Sequence, residues 1–351
     1  MNTKPKRIGL MGCGAVAGYG HVPAILQTPG LVLHAIYDPN GGAVKSMQET
    51  FGIPEAFTDS TAFFASGIEA VSITSPAPCH KANVLDAARH RLPVLCEKPL
   101  AMNGGEAGEM IEAMERAGVP FHAGFCYRFS PSALKIRELV RSGAIGDVRS
   151  LRLIYNWNCH GKFVRDDEGN RSIQPRREGR MLEGGPVIDC GTHQIDLATF
   201  WLDSPVVHFS GHGAWVDDYE APDHMWLHMD HANGAHTVVE ISYSYHHTSA
   251  NAHSEFVYEL IGRDGVIRYD RATESFRMEN GSGLQEFEFH PEKSFEGMYS
   301  EWAAALQTGR SDLLTRAVDG TRVVEIATAA TADAIRNLRP TRTQENTKVS
   351  P

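Results

Sequence analysis

Short apolar runs separated by helix-like segments set the pattern from residue 7 to about 125. The runs "RIGLMG", "LVLHAIYD", "EAVSIT", "RLPVLCEK" and "VPFHAGF" are predicted strands. Between them the spacing predicts helices near 20–28, 41–51, 79–90 and 103–117. Strand and helix in alternation is the pattern of a parallel sheet covered on both faces. After "FSPSALKIRELVRSGAIGDV" the texture changes. "VRSLRLIYNWNC", "HMWLHMDH", "AHTVVEISYSY", "EFVYELIG" and "GVIRYD" alternate apolar and polar residues between tight turns, as half-buried strands of a largely antiparallel sheet do. A helix at 187–202 interrupts them, and helices near 293–308 and 315–337 close the pattern. The expected class is α/β. Residues 1–126 are expected to form one domain and 127–338 an α+β domain with a large, open, mostly antiparallel sheet, while 339–351 reads as a polar tail.

The first predicted strand runs directly into "GCGAVA", Gly12 to Ala17, and then toward a helix. Gly12 permits a tight turn, Gly14 lets backbone approach a pyrophosphate, and Ala17 keeps the helix close to the sheet. Asp38 ends the second strand at the distance expected of a carboxylate that binds ribose hydroxyls, and its charge repels a 2′-phosphate. These signals, in strand, turn, helix order, point to a Rossmann domain and to NAD rather than NADP. "CEKPL" ends the predicted strand "RLPVLCEK", where an open parallel sheet binds its ligands, so Glu97 and Lys98 are expected at the mouth of the nucleotide crevice. Pro99 fixes the turn there, in the cis form if it is to hold Lys98 in one orientation. An ammonium at Lys98 suits a substrate hydroxyl whose proton is leaving.

In "GGPVIDCGTHQIDLATFW" a regular helix places Asp189, His193 and Asp196 within about 60° of one another around its axis. Taken alone, the segment reads equally simply as a solvated face opposite a stripe of Ile188, Ile195, Ala198 and Leu202.

Charge and composition narrow the classes. There are 43 acidic against 33 basic side chains, a formal charge of -10, which lacks the footprint of a nucleic-acid binder. "MNTKPKR" passes into "IGLMGCG" with no apolar signal core, and no run of about 18 apolar residues occurs, so a soluble cytoplasmic protein without membrane contact is expected. Cys13, Cys79, Cys96, Cys126, Cys159 and Cys190 show no C-x-x-C spacing and read as reduced packing thiols. Nine of the 17 histidines fall between 208 and 253. His224 and His228 there share one strand face too far apart for a single ion, so no metal is expected.

In order and spacing, "GCGAVAGYGHVPAI", "TSPAPCHKANVLDAARHRLPVLCEKPLA", "AGFCYRFSP", "GAIGDV", "GGPVIDCGTHQID", "FEGMYSEWAAALQTG" and "DGTRVVEIATAATADAI" resemble the glucose-fructose oxidoreductase / inositol dehydrogenase / MocA family over nearly the whole chain. The resemblance implies an NAD(P)-dependent enzyme that moves hydride between nicotinamide and a sugar, cyclitol or related polyol hydroxyl. It also implies a homodimer or homotetramer built through the C-terminal sheet. The family's catalytic lysine maps onto Lys98, and its D-x-G-x-H motif onto Asp189, Gly191 and His193, with His193 the acid/base and Asp189 holding the reacting hydroxyl. Asp196 matches a trailing, supporting acid. Where the family often carries three glycines, this chain has Glu183-Gly184-Gly185.

Imidazole suits the acid/base role because its unperturbed pKa of about 6.5 lies near neutrality, and Asp189 is expected to stabilise the protonated ring. Gly12, Cys13, Gly14, Ala15, Val16, Asp38, Thr74, Ser75, Pro76, His80, Glu97, Lys98 and Arg128 are expected at the cofactor. Lys98, Tyr127, Trp157, His160, Asp189 and His193 are expected at the substrate, Trp157 and His160 from a long polar loop read as a pocket cover. Two other functions fit the same residues: a redox-neutral glycosidase that retains NAD, and a non-catalytic nucleotide-binding regulator.

Overall fold

The computed structural model describes residues 4–158, 163–165, 168, 170–173, 175–245, 251 and 253–338. Six parallel strands, β1 (Lys6–Met11), β2 (Leu31–Tyr37), β3 (Glu55–Phe57), β4 (Ala70–Ile73), β5 (Val94–Glu97) and β6 (Phe121–Gly124), lie in the order β6-β5-β4-β1-β2-β3. The central strands are apolar on both faces because helices cover both. Ile8, Leu10, Val71, Ile73 and Val94 are all fully buried. The covering helices are α1 (Val22–Gln27), α2 (Gly41–Phe51), α3 (Ser60–Ala65), α4 (Ala77–Arg89) and α5 (Gly104–Ala117). Asn40 and Asn103 cap α2 and α5 by accepting from the otherwise orphaned amides of Ala43 and Glu106.

A 3₁₀ turn at Cys126–Phe129 and α6 (Pro131–Arg141) lead into the second sheet. Its strands are β7 (Val148–Asn156), then, after the separate hairpin β8 (Phe163–Arg165) and β9 (Arg171–Ile173), β10 (Val206–Ala214), β11 (His224–His231), β12 (His236–Ser242), β13 (Glu255–Gly262), β14 (Gly265–Asp270), β15 (Ser275–Asn280) and β16 (Gly283–Phe287). The order is β10-β11-β12-β7-β13-β14-β15-β16, antiparallel throughout except for the parallel pair β12 and β7. Alternation decides the faces: Met225, Leu227 and Met229 of β11 are fully buried, while His224, Trp226 and His228 turn to the open side. Between β9 and β10 lie α7 (Pro175–Leu182), a π turn at Val187–Gly191, and α8 (Thr192–Leu202). The described residues end with α9 (Phe295–Thr308), β17 (Thr315–Arg316) and α10 (Ala317–Leu338).

Several differences from the sequence expectations have local causes. The long polar loop predicted after β7 contains β8, β9 and the start of α7, whose charged "PRREGRML" hides its helical tendency. The predicted helix at 20–28 starts as a π turn, Ala17–His21, and α3 and α6 were not expected. The expected tail, 339–351, lies outside the described residues. Among the described residues no helix is long and apolar enough to cross a membrane.

The two sheets are joined by a buried ion pair. Arg128, in the turn after β6, donates two 2.7 Å hydrogen bonds to Asp196 of α8, and Thr315 of β17 donates to the same carboxylate at 3.2 Å. β17 adds antiparallel to β6, so the first sheet gains its seventh strand from the end of the chain. Removing one member of such a pair leaves the other buried and uncompensated. Asp196→Ala is therefore expected to lower the unfolding free energy by about 3–5 kcal/mol, read from urea denaturation. An unchanged midpoint would show that the pair does not hold the sheets together.

Candidate active site

The residues that end β5 meet the residues that open α8. Lys98 follows β5, with a cis Lys98–Pro99 peptide bond. Its ammonium donates to the Asp189 carboxylate at 2.9 Å and to the Asp189 backbone carbonyl at 3.0 Å. The Asp189 carboxylate also accepts from Arg180 of α7 at 2.8 Å, from the hydroxyl of Tyr243, just past β12, and from the Cys190 thiol at 3.5 Å. Burial pushes the Asp189 carboxyl up, but Lys98, Arg180 and Tyr243 outweigh it and hold it well below the usual carboxylate range. For Lys98 burial favours the neutral amine, and the Asp189 charge overrides it and raises the pKa. Carboxylate and ammonium therefore both stay ionised.

His193 lies in the same cleft, in a different environment. Its ring stacks on Tyr127 with centroids 3.7 Å apart and an interplanar angle of 6°, and Phe125 meets it edge-on. Its Nδ1 is buried and has no hydrogen-bond partner among the described residues. Burial, then the Lys98 and Lys293 charges, push its pKa well below the ordinary histidine value, and Asp189 offsets this only in part. The expectation that Asp189 stabilises a protonated ring is thus corrected: the carboxylate is already held by Lys98, Arg180 and Tyr243, and the ring is neutral.

Asp196 is a second correction. It faces Arg128 and Thr315, away from the cleft. A wheel drawn at 100° per residue assumes an unbroken α-helix, whereas Asp189 sits in the π turn, which changes its rotation relative to the residues of α8. Arg128, expected at the cofactor, has its guanidinium engaged instead by Asp196 and by the Leu313 carbonyl.

The glycine-rich turn has the shape a dinucleotide needs. Gly12 has φ +106°, and a Cβ there would lie 2.4 Å from the Ser75 amide. A Cβ at Gly14 would meet nothing within 4 Å, so the backbone is open to a bulky ligand, and Ala17 is fully buried against the sheet. The Asp38 carboxylate accepts from the amides of Cys13 and Asn40, each at 2.8 Å, which fixes it at the end of β2. Open backbone at Gly14 beside a fixed carboxylate fits a pyrophosphate and a ribose. Ala15 is exposed on this turn, and Val16 lines the cleft that holds Lys98, Asp189 and His193. The Cys13 thiol is pushed up to about 12 by burial and by Asp38, which makes it a packing group.

Other expected cofactor residues brace the turn. Thr74 donates to the Gly12 carbonyl at 2.7 Å. His80 spans the Ser75 carbonyl at 2.9 Å and the Pro99 carbonyl at 3.0 Å, so it ties the loop carrying Ser75 and Pro76 to the turn after Lys98. Glu97 is buried, 3.0 Å from the His21 ring, and accepts from the Lys98 amide at 3.1 Å. Trp157 lines the cleft, stacked parallel to Tyr155 with centroids 5.7 Å apart. His160 lies outside the described residues. His224 and His228 on β11 turn to different partners, Glu240 and His236.

Arg180 and Tyr243 were not expected. Strand alternation places Tyr243 in phase with Val239 and Ile241 on the buried face, and a buried tyrosine hydroxyl needs a partner, so a signal for it existed. Arg180 had none, because it is one of several charges in "PRREGRML". Glu183, which stands where the resembled family often has glycine, lies 3.5 Å from Arg180.

Since a neutral imidazole can accept a proton and burial extends its neutral range downward, the acid limb of kcat/KM for alcohol oxidation is expected below pH 6.5, the ordinary histidine value. A pH–rate profile that falls with a midpoint at or above that value would contradict this electrostatic reading.

Residues 6–125 match the profile of an oxidoreductase family with an NAD-binding Rossmann fold, and residues 133–268 match the GFO/IDH/MocA C-terminal domain. The chain is 26% identical to scyllo-inositol 2-dehydrogenase (NAD(+)) of Bacillus subtilis over 95% of each chain. It is 28% identical to D-apiose dehydrogenase of Rhizobium rhizogenes over 80% of this chain and 76% of that one. Among solved structures, levoglucosan dehydrogenase in complex with NADH and levoglucosan shares the fold with a TM-score of 0.80 at 20% identity, covering 95% of this chain and 98% of that one. An oxidoreductase from Agrobacterium radiobacter in complex with NAD+, L-tartaric acid and magnesium does so with a TM-score of 0.80 at 22% identity, over 96% and 98%.

Proposed function

Since the chain belongs to the GFO/IDH/MocA oxidoreductase family, we propose the following reading of its site: an NAD-dependent dehydrogenase of a sugar, cyclitol or related polyol hydroxyl, with Lys98 and His193 acting on one hydroxyl. The observation that carries it is the convergence of Lys98, Asp189 and His193 on a cleft also lined by Val16 and Tyr19 from the glycine-rich turn and the helix after it. NAD, bound by the backbone of Gly12 to Val16 and by Asp38, supplies the hydride acceptor.

Two of the three N–H groups of Lys98 are held by Asp189, which leaves the third for the oxygen of the substrate hydroxyl. His193 takes the hydroxyl proton, and the Lys98 ammonium stabilises the negative charge that develops on oxygen. Asp189 acts through Lys98: it keeps the amine protonated and aimed. Tyr127 fixes the imidazole by stacking, and Trp157 offers an aromatic wall to the C–H face of a ring substrate. This division places the cofactor on residues 1–126 and the substrate on 127–338, with Lys98 reaching across.

We place the enzyme in the cytoplasm, a reading supported by five thiols, Cys13, Cys79, Cys96, Cys126 and Cys190, that are all unpaired. Copies are proposed to meet through the open face of the second sheet as a dimer or tetramer, since Ile261 and Val266 are exposed there and Trp226 and Val238 are partly exposed on the same sheet.

Lys98→Ala and His193→Ala are each expected to lower kcat by about 10²-fold or more, with circular dichroism and NAD affinity retained. Full activity in both variants on the substrate that the wild type oxidises would refute the assigned roles. The Asp38 carboxylate is expected to make kcat/KM higher with NAD than with NADP, and Asp38→Ser to narrow that ratio. A ratio that does not respond to this change would remove Asp38 from the cofactor site.

A further inference from the structure

A second cavity, of about 640 Å³, shares no lining residue with the catalytic cleft. Its walls are α6, the far side of α8, the turn at 203–206, residues 311–316 and the start of α10. Five arginines, Arg128, Arg137, Arg141, Arg316 and Arg322, line it together with three aspartates, Asp203, Asp312 and Asp319. Three of the arginines have close carboxylate partners. Arg128 is bidentate on Asp196, Arg316 is bidentate on Asp319 at 2.8 and 2.9 Å, and Arg322 meets Glu325 at 3.2 Å. Arg141 has only a 3.5 Å contact with the exposed Asp203.

Arg137 stands apart. Among the described residues it makes no ion pair and no hydrogen bond, and its Nε is buried without a partner. Its guanidinium lies 4.3 Å from the centroid of Phe200, the ring that Arg128 approaches to 4.6 Å. Arg137 and Arg141 are four residues apart on α6 and so share one face. Burial and the like charges of Arg141 and Arg128 work against a protonated Arg137, with Asp203 and Asp312 offsetting this only in part. An arginine that is half-buried, unpaired and crowded by other arginines is a donor set without an acceptor.

We propose that this cavity is an anion site for a phosphate group, free or carried by a metabolite, with Arg137 and Arg141 as its principal ligands. A tetrahedral oxyanion matches the fork of a guanidinium and satisfies several donors at once. The site is separate from the dinucleotide turn and does not depend on the reaction assigned above.

The test is calorimetric titration of the full chain, saturated with NAD so that the glycine-rich turn is filled, at low ionic strength where such contacts are least screened. Inorganic phosphate is expected to bind saturably, once per chain. Loss of one charge-assisted contact is expected to weaken it about 10-fold or more in Arg137→Gln, and likewise in Arg141→Gln, while NAD-linked turnover of a polyol is unchanged. A hexose monophosphate in a parallel titration distinguishes the sources: tighter binding that also falls in Arg137→Gln points to a phosphorylated metabolite, and binding equal to that of phosphate points to the free ion. Absence of saturable phosphate binding, or equal affinity in the wild type and both variants, would overturn the proposal.

Discussion

The buried ion pair between Lys98 and Asp189 is the constraint on which the rest of the site depends. Its partners come from segments 91 residues apart, one after the last strand before α5 and one in the π turn before α8. Taking two charges out of water costs several kcal/mol for each ion unless further hydrogen bonds satisfy them. Here the carboxylate is surrounded: Arg180, Tyr243 and Lys98 all donate to it. α7, the end of β12 and the end of β5 are therefore drawn to one point. The geometry of the cleft follows from the need to satisfy one carboxylate.

The same logic extends one layer out. Arg177, one turn before Arg180, is fully buried and donates to Asp217, Asp223, the Ser244 hydroxyl and the Tyr243 carbonyl. It anchors α7 and the backbone that follows β12 together, so the two donors on the outer side of Asp189, Arg180 and Tyr243, are set by a single guanidinium. On the inner side, Glu97 accepts from the Lys98 amide and lies against His21, whose ring in turn is 2.6 Å from the Tyr299 hydroxyl. The charge state of the cleft, with lysine protonated, aspartate ionised and histidine neutral, is fixed by these surroundings and not by ordinary side-chain pKa values.

What could be read in the sequence was what is written locally. The turn from Gly12 to Ala17, Asp38 at a strand end, and Lys98 at the mouth of the sheet follow from strand and turn order, and the structure places them so. Asp196 and Arg128 were misplaced because their partners are set by tertiary packing, 68 residues apart, and because a π turn interrupts the helical wheel that grouped Asp196 with Asp189. α7 was read as loop because its charges point to solvent in any one-dimensional view, although Arg177 is among the most buried side chains of the protein. His80, expected at the cofactor from its place after a strand, also braces two loops, which only the tertiary structure shows. Periodicity captures which face a residue takes in a regular element. It cannot say which buried charge will answer another across the fold.

The most direct measurement is a crystal structure of the ternary complex with NAD and an unreactive polyol. One substrate hydroxyl oxygen is expected within about 3.2 Å of both the Lys98 ammonium and the His193 ring, with Asp189 still bound to Lys98. A polyol whose hydroxyls contact Asp189 after displacing Lys98, or that sits beyond reach of the His193 ring, would contradict it.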